Sequence, residues 1–338
     1  MAETNRRVVL ARRPDGLPVA SDFRIEEEAA GAPPDGHVLV AVEHLSIDAF
    51  IRTILEESSY HPSVPIGETV TAFGVGRIIA SNAPGWNVGD AVRGPLLVQT
   101  LATVPVEKIE KVDTDRAPLT AYLGVLGLTS GVTAYVGVRD VGAVKPGDTF
   151  VVSGAAGGVG SIAGQIARID GARVIGIAGG AQKQEHLEKD LGFDAVIDYK
   201  REDVDARLRE LAPDGVDVFF DNVGGENLDV VLDQIRIGAR VVICGAISQY
   251  EGDFSRGVRG PSLYLRLAER NARMEGFAVN NCLERAPEAE AALAGWLASG
   301  EIRQREHIEH GIERFAETLG LLFNGGHMGK LLLAPSAP

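Results

Sequence analysis

The chain of 338 residues has only two cysteines, Cys244 and Cys282, so no disulfide framework can staple it. Two lone thiols fit a reducing compartment, and a cytoplasmic location is the expectation. No apolar run approaches the ~18 residues that a membrane-spanning helix needs, so no membrane partner is expected. The opening stretch MAETNRRVVLARRPDG also lacks the apolar core of a secretory signal. Basic residues are outnumbered by acidic ones, 33 against 47, which leaves a formal charge of −14. A nucleic-acid-binding face needs clustered Lys and Arg, so nucleic acid is not an expected partner either. The composition, 45% hydrophobic and 24% charged, is that of an ordinary globular protein. The length suggests two domains, or one domain carrying a large insertion.

Up to about residue 118 the chain shows short β-like runs, HVLVAVEHLSID (37–48), GVGRIIAS (74–81) and GDAVRG (89–94). Turn signals such as APPDG (32–36) and NAPGWNVGD (82–90) separate them, the pattern of an irregular antiparallel β domain. Beyond that point apolar strands alternate with helical stretches. Six strands are predicted within 148–155, 172–179, 195–199, 216–223, 239–246 and 273–279, with helices at 161–170, 203–212 and 286–300. This alternation predicts an α/β fold with a doubly wound, six-stranded parallel sheet of the Rossmann type. In the tail, 308–326 reads as a helix and 329–335 as a strand that could return to the first domain. The expected division is therefore 1–118 with 301–338 for one domain and 119–300 for the other.

At the head of the parallel array stands VVSGAAGGVGSIAGQIARIDGARVIGIAGG (151–180). Ala155, Gly157 and Gly160 take the three small positions of a dinucleotide fingerprint, which allow a tight turn, backbone approach to a pyrophosphate and close helix packing. The anion would lie over the N-terminus of the following helix. Most NAD sites end their second strand in Asp or Glu, which accepts hydrogen bonds from the ribose diol. Here that strand ends in Ala178, Gly179 and Gly180. The missing carboxylate leaves room for a 2′-phosphate, Lys183 supplies a cation, and Tyr199 can add a hydroxyl. NADP(H) is the expected coenzyme.

Common devices for carbonyl chemistry are missing. Both cysteines fall in the nucleotide half, and His307 with His310, read as sharing a helix face, has no third ligand in view, so no metal site is expected. A Tyr-x-x-x-Lys pair follows none of the six tyrosines. Reduction of a carbon–carbon double bond conjugated to a carbonyl fits what remains. The negative charge moves onto an enolate oxygen, which hydrogen-bond donors can hold without a metal.

The segments SGAAGGVGSIAGQIA, DGVDVFFDNVGGENLD and above all CGAISQY (244–250) resemble the zinc-independent prostaglandin-reductase branch of the medium-chain dehydrogenase/reductase superfamily. These NADP-dependent double-bond reductases include leukotriene hydroxydehydrogenases and bacterial curcumin reductase. The likeness runs through VEHLSIDAFIR (42–52), LGLTSGVTAYVGV (126–138), RMEGF and GHMGK. It implies a GroES-like β domain completed by the C-terminal tail, a Rossmann domain, a cleft between them and a homodimer. By position it implies coenzyme contacts at Gly157, Gly158, Val159 and Gly160, at Lys183 and Tyr199 for the 2′-phosphate, and at Asn222. It implies others along Cys244, Gly245, Ala246, Ile247, Ser248, Gln249 and Tyr250, and at Phe277, Ala278 and Val279. Tyr250 and Tyr60 are the candidate catalytic hydroxyls.

Two departures stand out. Phe50 replaces a tyrosine common in the family, and His327 stands where many relatives have Asn, which introduces a group whose protonation could make coenzyme binding depend on pH. The implied activity is NADPH-dependent reduction of α,β-unsaturated aldehydes and ketones. A quinone reductase of the same superfamily, or a non-catalytic NADPH-binding protein, are the competing readings.

Overall fold

A computed structural model describes residues 3–57, 62–250 and 258–336. Strands β1 (Thr4–Leu10) and β2 (Phe23–Ala29) form a separate antiparallel ribbon. Next come β3 (His37–Ser46), a short helix α1 (Phe50–Ile54), β4 (Gly74–Ser81), β5 (Ala91–Gly94), β6 (Leu101–Pro105) and β7 (Glu110–Lys111). After α2 (Thr133–Val136) the chain alternates. The order is β8 (Thr149–Ser153), α3 (Gly158–Ile169), β9 (Arg173–Ala178), α4 (Ala181–Glu185), β10 (Ala195–Asp198), α5 (Val204–Leu211), β11 (Val216–Asp221), α6 (Gly225–Asp233) and β12 (Ile235–Ile243). The remainder is α7 (Leu265–Glu269), β13 (Arg273–Gly276), α8 (Ala286–Ser299), β14 (Glu306–His310), α9 (Phe315–Asn324) and β15 (Lys330–Ala334).

The six strands β8 to β13 pair in parallel in the order β10-β9-β8-β11-β12-β13, the doubly wound arrangement. The inner strands β9, β8 and β11 are largely apolar on both sides because helices cover both faces, whereas the edge strand β13 (RMEG) is mostly exposed. Phe150, Val152, Val218 and Phe220 face one core with Ile162 and Ile166 of α3. The alternating Val151, Phe219 and Val241 face the other core with Leu208 of α5 and Leu228 of α6.

In the second sheet, β14-β15-β3-β4-β5-β7 lie side by side and β6 pairs with the far part of β3. The tail strand β15 therefore does return to the first part of the chain, antiparallel to β3 through Leu332↔Ser46 and Leu333↔Leu45. It also connects two cores, since Leu331 and Leu333 pack in that of the second sheet and Leu332 in the core beneath α3.

The expected helix over 308–326 is only partly right. Glu306–His310 is a strand parallel to β15, and helix α9 starts at Phe315. His307 and His310 accordingly lie on a strand, not on a helix face. With Ile308 as the single apolar residue of a half-exposed EHIEH, this edge strand carries little of the apolar signal of its neighbours.

Candidate functional site

A cavity of about 1110 Å³ runs from the glycine turn to the second sheet. The turn follows β8, and Gly154 takes the left-handed conformation at φ +60°. The fingerprint puts Ala155 at the tight-turn position, but the residue that makes the turn is the glycine before it. A Cβ on Gly160 would sit 2.4 Å from Gly154 O, so the backbone tolerates no side chain there. Gly157 precedes α3 in an extended conformation. The bare backbone and free N–H groups at the start of this helix fit a diphosphate.

At the end of β9, a Cβ on Gly179 would meet the Tyr199 ring at 2.8 Å and Lys200 Cε at 2.9 Å. A carboxylate does stand near, Asp198 at the end of β10, but it is buried and accepts hydrogen bonds from the backbone N–H groups of Gly180 (2.8 Å) and Lys200 (3.1 Å). Lys183 donates to Gly325 O at 2.9 Å. The heads of Lys183, Lys200 and Tyr199 converge on Gly325, lying 3.7, 3.7 and 3.8 Å from the place its Cβ would take. Burial, with the like charge of Lys200, pushes Lys183 below the usual lysine range. Two converging ammonium groups form a setting for a phosphate. Sequence reasoning misses Lys200, because only the fold shows that it turns back beside Lys183.

The loops after β11 and β12 are held by Asp221, which is fully buried. Its carboxylate accepts from Ser153 Oγ (2.6 Å) and from the N–H groups of Val223 (2.9 Å) and Gly224 (3.0 Å), and burial raises its pKa. Asn222 donates its side-chain amide to Ser153 O at 2.7 Å. The peptide N–H groups of Cys244 and Gly245 bond to Asp221 O, that of Ile247 to Asn222 O, and that of Ser248 to Val223 O. The Cys244 thiol is pushed up to about 12 by burial, with Asp221 adding to the shift, so it stays protonated. Tyr250 is 8% exposed, and its hydroxyl oxygen accepts from Ala246 N at 3.2 Å, closing the loop on itself.

Of the residues singled out from sequence, Gly157 to Gly160, Lys183, Tyr199, Asn222, Cys244, Gly245, Ile247 to Tyr250, Phe277 to Val279 and His327 line this cavity. Ala246 is not in the wall; it packs against Gly224. Tyr60 lies outside the described residues. His327 donates from Nδ1 to Leu321 O at 3.0 Å, and burial pushes its pKa down to about 4. The imidazole is therefore neutral near pH 7 in the coenzyme-free protein.

Opposite the polar half, Ile47, Phe50, Ile54, Phe73, Leu322 and Phe323 form an apolar lobe. Between the two halves Asp48 receives Lys330 Nζ at 2.5 Å, Ser46 Oγ at 2.5 Å and Thr129 Oγ1 at 3.2 Å. Among the described residues no group of three or more His, Cys, Asp or Glu is placed to hold a metal ion.

Two family models match the chain, one described as zinc-binding dehydrogenase over residues 158–295 and one as N-terminal domain of oxidoreductase over residues 6–112. The chain is 36% identical to the NADPH-dependent curcumin reductase of Escherichia coli, over 98% of this chain and 97% of that one. It is 34% identical to the NADP-dependent 2-alkenal reductase of Nicotiana tabacum, over 99% of each. The crystal structure of CurA from Vibrio vulnificus in complex with NADPH superposes with a TM-score of 0.91 at 35% identity, covering 98% of this chain and 100% of that one. A quinone oxidoreductase structure from Pseudomonas syringae aligns less well, with a TM-score of 0.76 at 25% identity over 98% of this chain and 100% of that one.

Proposed function

The chain belongs to the NADP-dependent double-bond reductases of the medium-chain dehydrogenase/reductase superfamily, and on that premise we propose that it reduces the carbon–carbon double bond of α,β-unsaturated aldehydes and ketones without a catalytic metal. The observation that carries this reading is the continuity of one cavity from the glycine turn to the apolar lobe of Phe50, Phe73 and Phe323. When bound, the reduced nicotinamide of NADPH supplies a hydride to the β-carbon.

The residues of the chain do the rest. Lys183, Lys200 and Tyr199 hold the 2′-phosphate, and the Asp221-braced loops keep Asn222, Cys244 and Gly245 in place along the wall. The apolar lobe takes the alkene and excludes water, which strengthens any hydrogen bond to the carbonyl oxygen. Tyr250 is the proposed donor to that oxygen as enolate charge develops, with Tyr60 as the second candidate.

NADPH consumption across a panel of enals, enones and quinones, with identification of the products, tests the reading. Saturated aldehydes and ketones as products support it. Turnover confined to quinones would instead favour the activity of the more distant structural neighbour. A metal-free mechanism further requires that turnover survive exhaustive dialysis against a chelator.

A further inference from the structure

Gly158, the first residue of the twelve-residue helix α3, is flanked by two polar side chains from outside the strand–turn–helix unit. A Cβ built on it would lie 3.3 Å from Ser130 Oγ and 3.2 Å from Lys330 Cδ. Both residues line the cavity beside Gly157 to Gly160. Ser130 is 1% exposed, and its hydroxyl has no hydrogen-bond partner among the described residues. Native proteins satisfy nearly all buried hydroxyls, so an orphan at this place points to a group that arrives later.

The local backbone supports the same conclusion. Ser130 sits in a π-helical turn, Leu128–Val132, a geometry concentrated at functional sites. That turn depends on Gly131, whose Cβ would fall 1.7 Å from Val125 O. The neighbouring Thr129 hydroxyl is already committed to Asp48, whereas Ser130 is not. Lys330 is 2% exposed and brings an ammonium into the interior, where Asp48 holds it. On a chain with a formal charge of −14, such a buried cation next to a helix N-terminus favours an anion.

We propose that Ser130 and Lys330 complete the diphosphate site of the coenzyme. The Ser130 hydroxyl donates to a phosphate oxygen over the N-terminus of α3, and the Lys330 ammonium, kept in place by Asp48, supplies the nearby positive charge. This assignment rests on the glycine turn being where the coenzyme's diphosphate binds.

Calorimetric titration of the full-length protein with three probes tests it. NADPH carries the whole coenzyme, 2′-phospho-ADP-ribose keeps the diphosphate without nicotinamide, and adenosine 2′-monophosphate keeps the 2′-phosphate without either phosphate of the diphosphate. Ser130→Ala is expected to weaken the first two about tenfold and to leave adenosine 2′-monophosphate within about twofold. The coenzyme-free variant should melt at the same temperature as wild type or higher, because an unsatisfied hydroxyl has been removed. A purely structural serine would lower it. Lys330→Met should give the same pattern across the probes; because it leaves Asp48 unpaired, the Asp48→Asn/Lys330→Met pair is measured beside it. Unchanged affinity of Ser130→Ala for 2′-phospho-ADP-ribose, or an equal loss for adenosine 2′-monophosphate, would overturn the assignment. Wild-type protein that binds none of the three would overturn the coenzyme premise itself.

Discussion

At the scale of single residues, the choice of coenzyme is a question of charge. Lys183 and Lys200 repel each other in the free protein, and a phosphate between them would reverse the sign of that interaction. Lys183→Ala and Lys200→Ala should each reduce the preference for NADPH over NADH by about tenfold, and the double variant by more. Measured dissociation constants for the two coenzymes check this, and an unchanged ratio in Lys200→Ala would remove that residue from the site.

Tyr250 is a different case, because its hydroxyl oxygen touches Ala246 N while the residue also lines the cavity. Tyr250→Phe should lower kcat by about ten- to a hundredfold while NADPH affinity changes little. A loss of affinity with kcat preserved would make it a loop brace alone. His327 gives a stability prediction with a definite sign. Its folded pKa of about 4 lies below the ordinary value of 6.5, so between these values the unfolded chain binds more protons. Its contribution to stability is complete above about pH 6.5 and declines as the pH falls to about 4, by the order of 3 kcal/mol in total. His327→Gln should flatten that part of a plot of unfolding free energy against pH.

At the scale of elements, the packing between β8 and α3 leaves no room at Gly160. Gly160→Ala would drive a methyl into Gly154 O, a backbone atom that cannot turn aside. A loss of about 1–3 kcal/mol is expected, seen as a lower Tm, together with weaker NADPH binding as the turn reshapes. This turn was legible in the sequence because glycines clustered directly after an apolar strand mark backbone that must approach something closely. The inner parallel strands were legible for a related reason, since burial on both faces writes them as largely apolar runs such as TFVVS and RVIGIA. The strand Glu306–His310 was not legible. Its pairing with β15 is set by the tail's return to β3, and its own half-exposed EHIEH carries no such run. Lys200 and the Ser130–Lys330 pair were hidden for another reason. They converge on the site from separate parts of the chain, a convergence that no local pattern records, as when Lys330 meets Asp48, 282 positions away.

At the scale of the whole molecule, the tail strand joins the two sheets. β15 sends alternate side chains into two cores, and Gly329 N donates to Ala156 O at 2.8 Å, so the strand meets the glycine turn directly. Lys330 follows at once, with its ammonium on Asp48 just before the helix that carries Phe50. The polar half and the apolar lobe of the cavity thus share one support, which suits the proposed reaction, in which a coenzyme and an apolar alkene must be brought together.

The most direct measurement is the fate of the hydrogen transferred to an enone. With NADPH deuterated at the transferring position and a simple enone as substrate, NMR of the product should show the saturated ketone with deuterium on the β-carbon and a solvent proton on the α-carbon. Deuterium on the carbonyl carbon of an allylic alcohol, or consumption of NADPH by quinones with no enone reduced, would contradict the account.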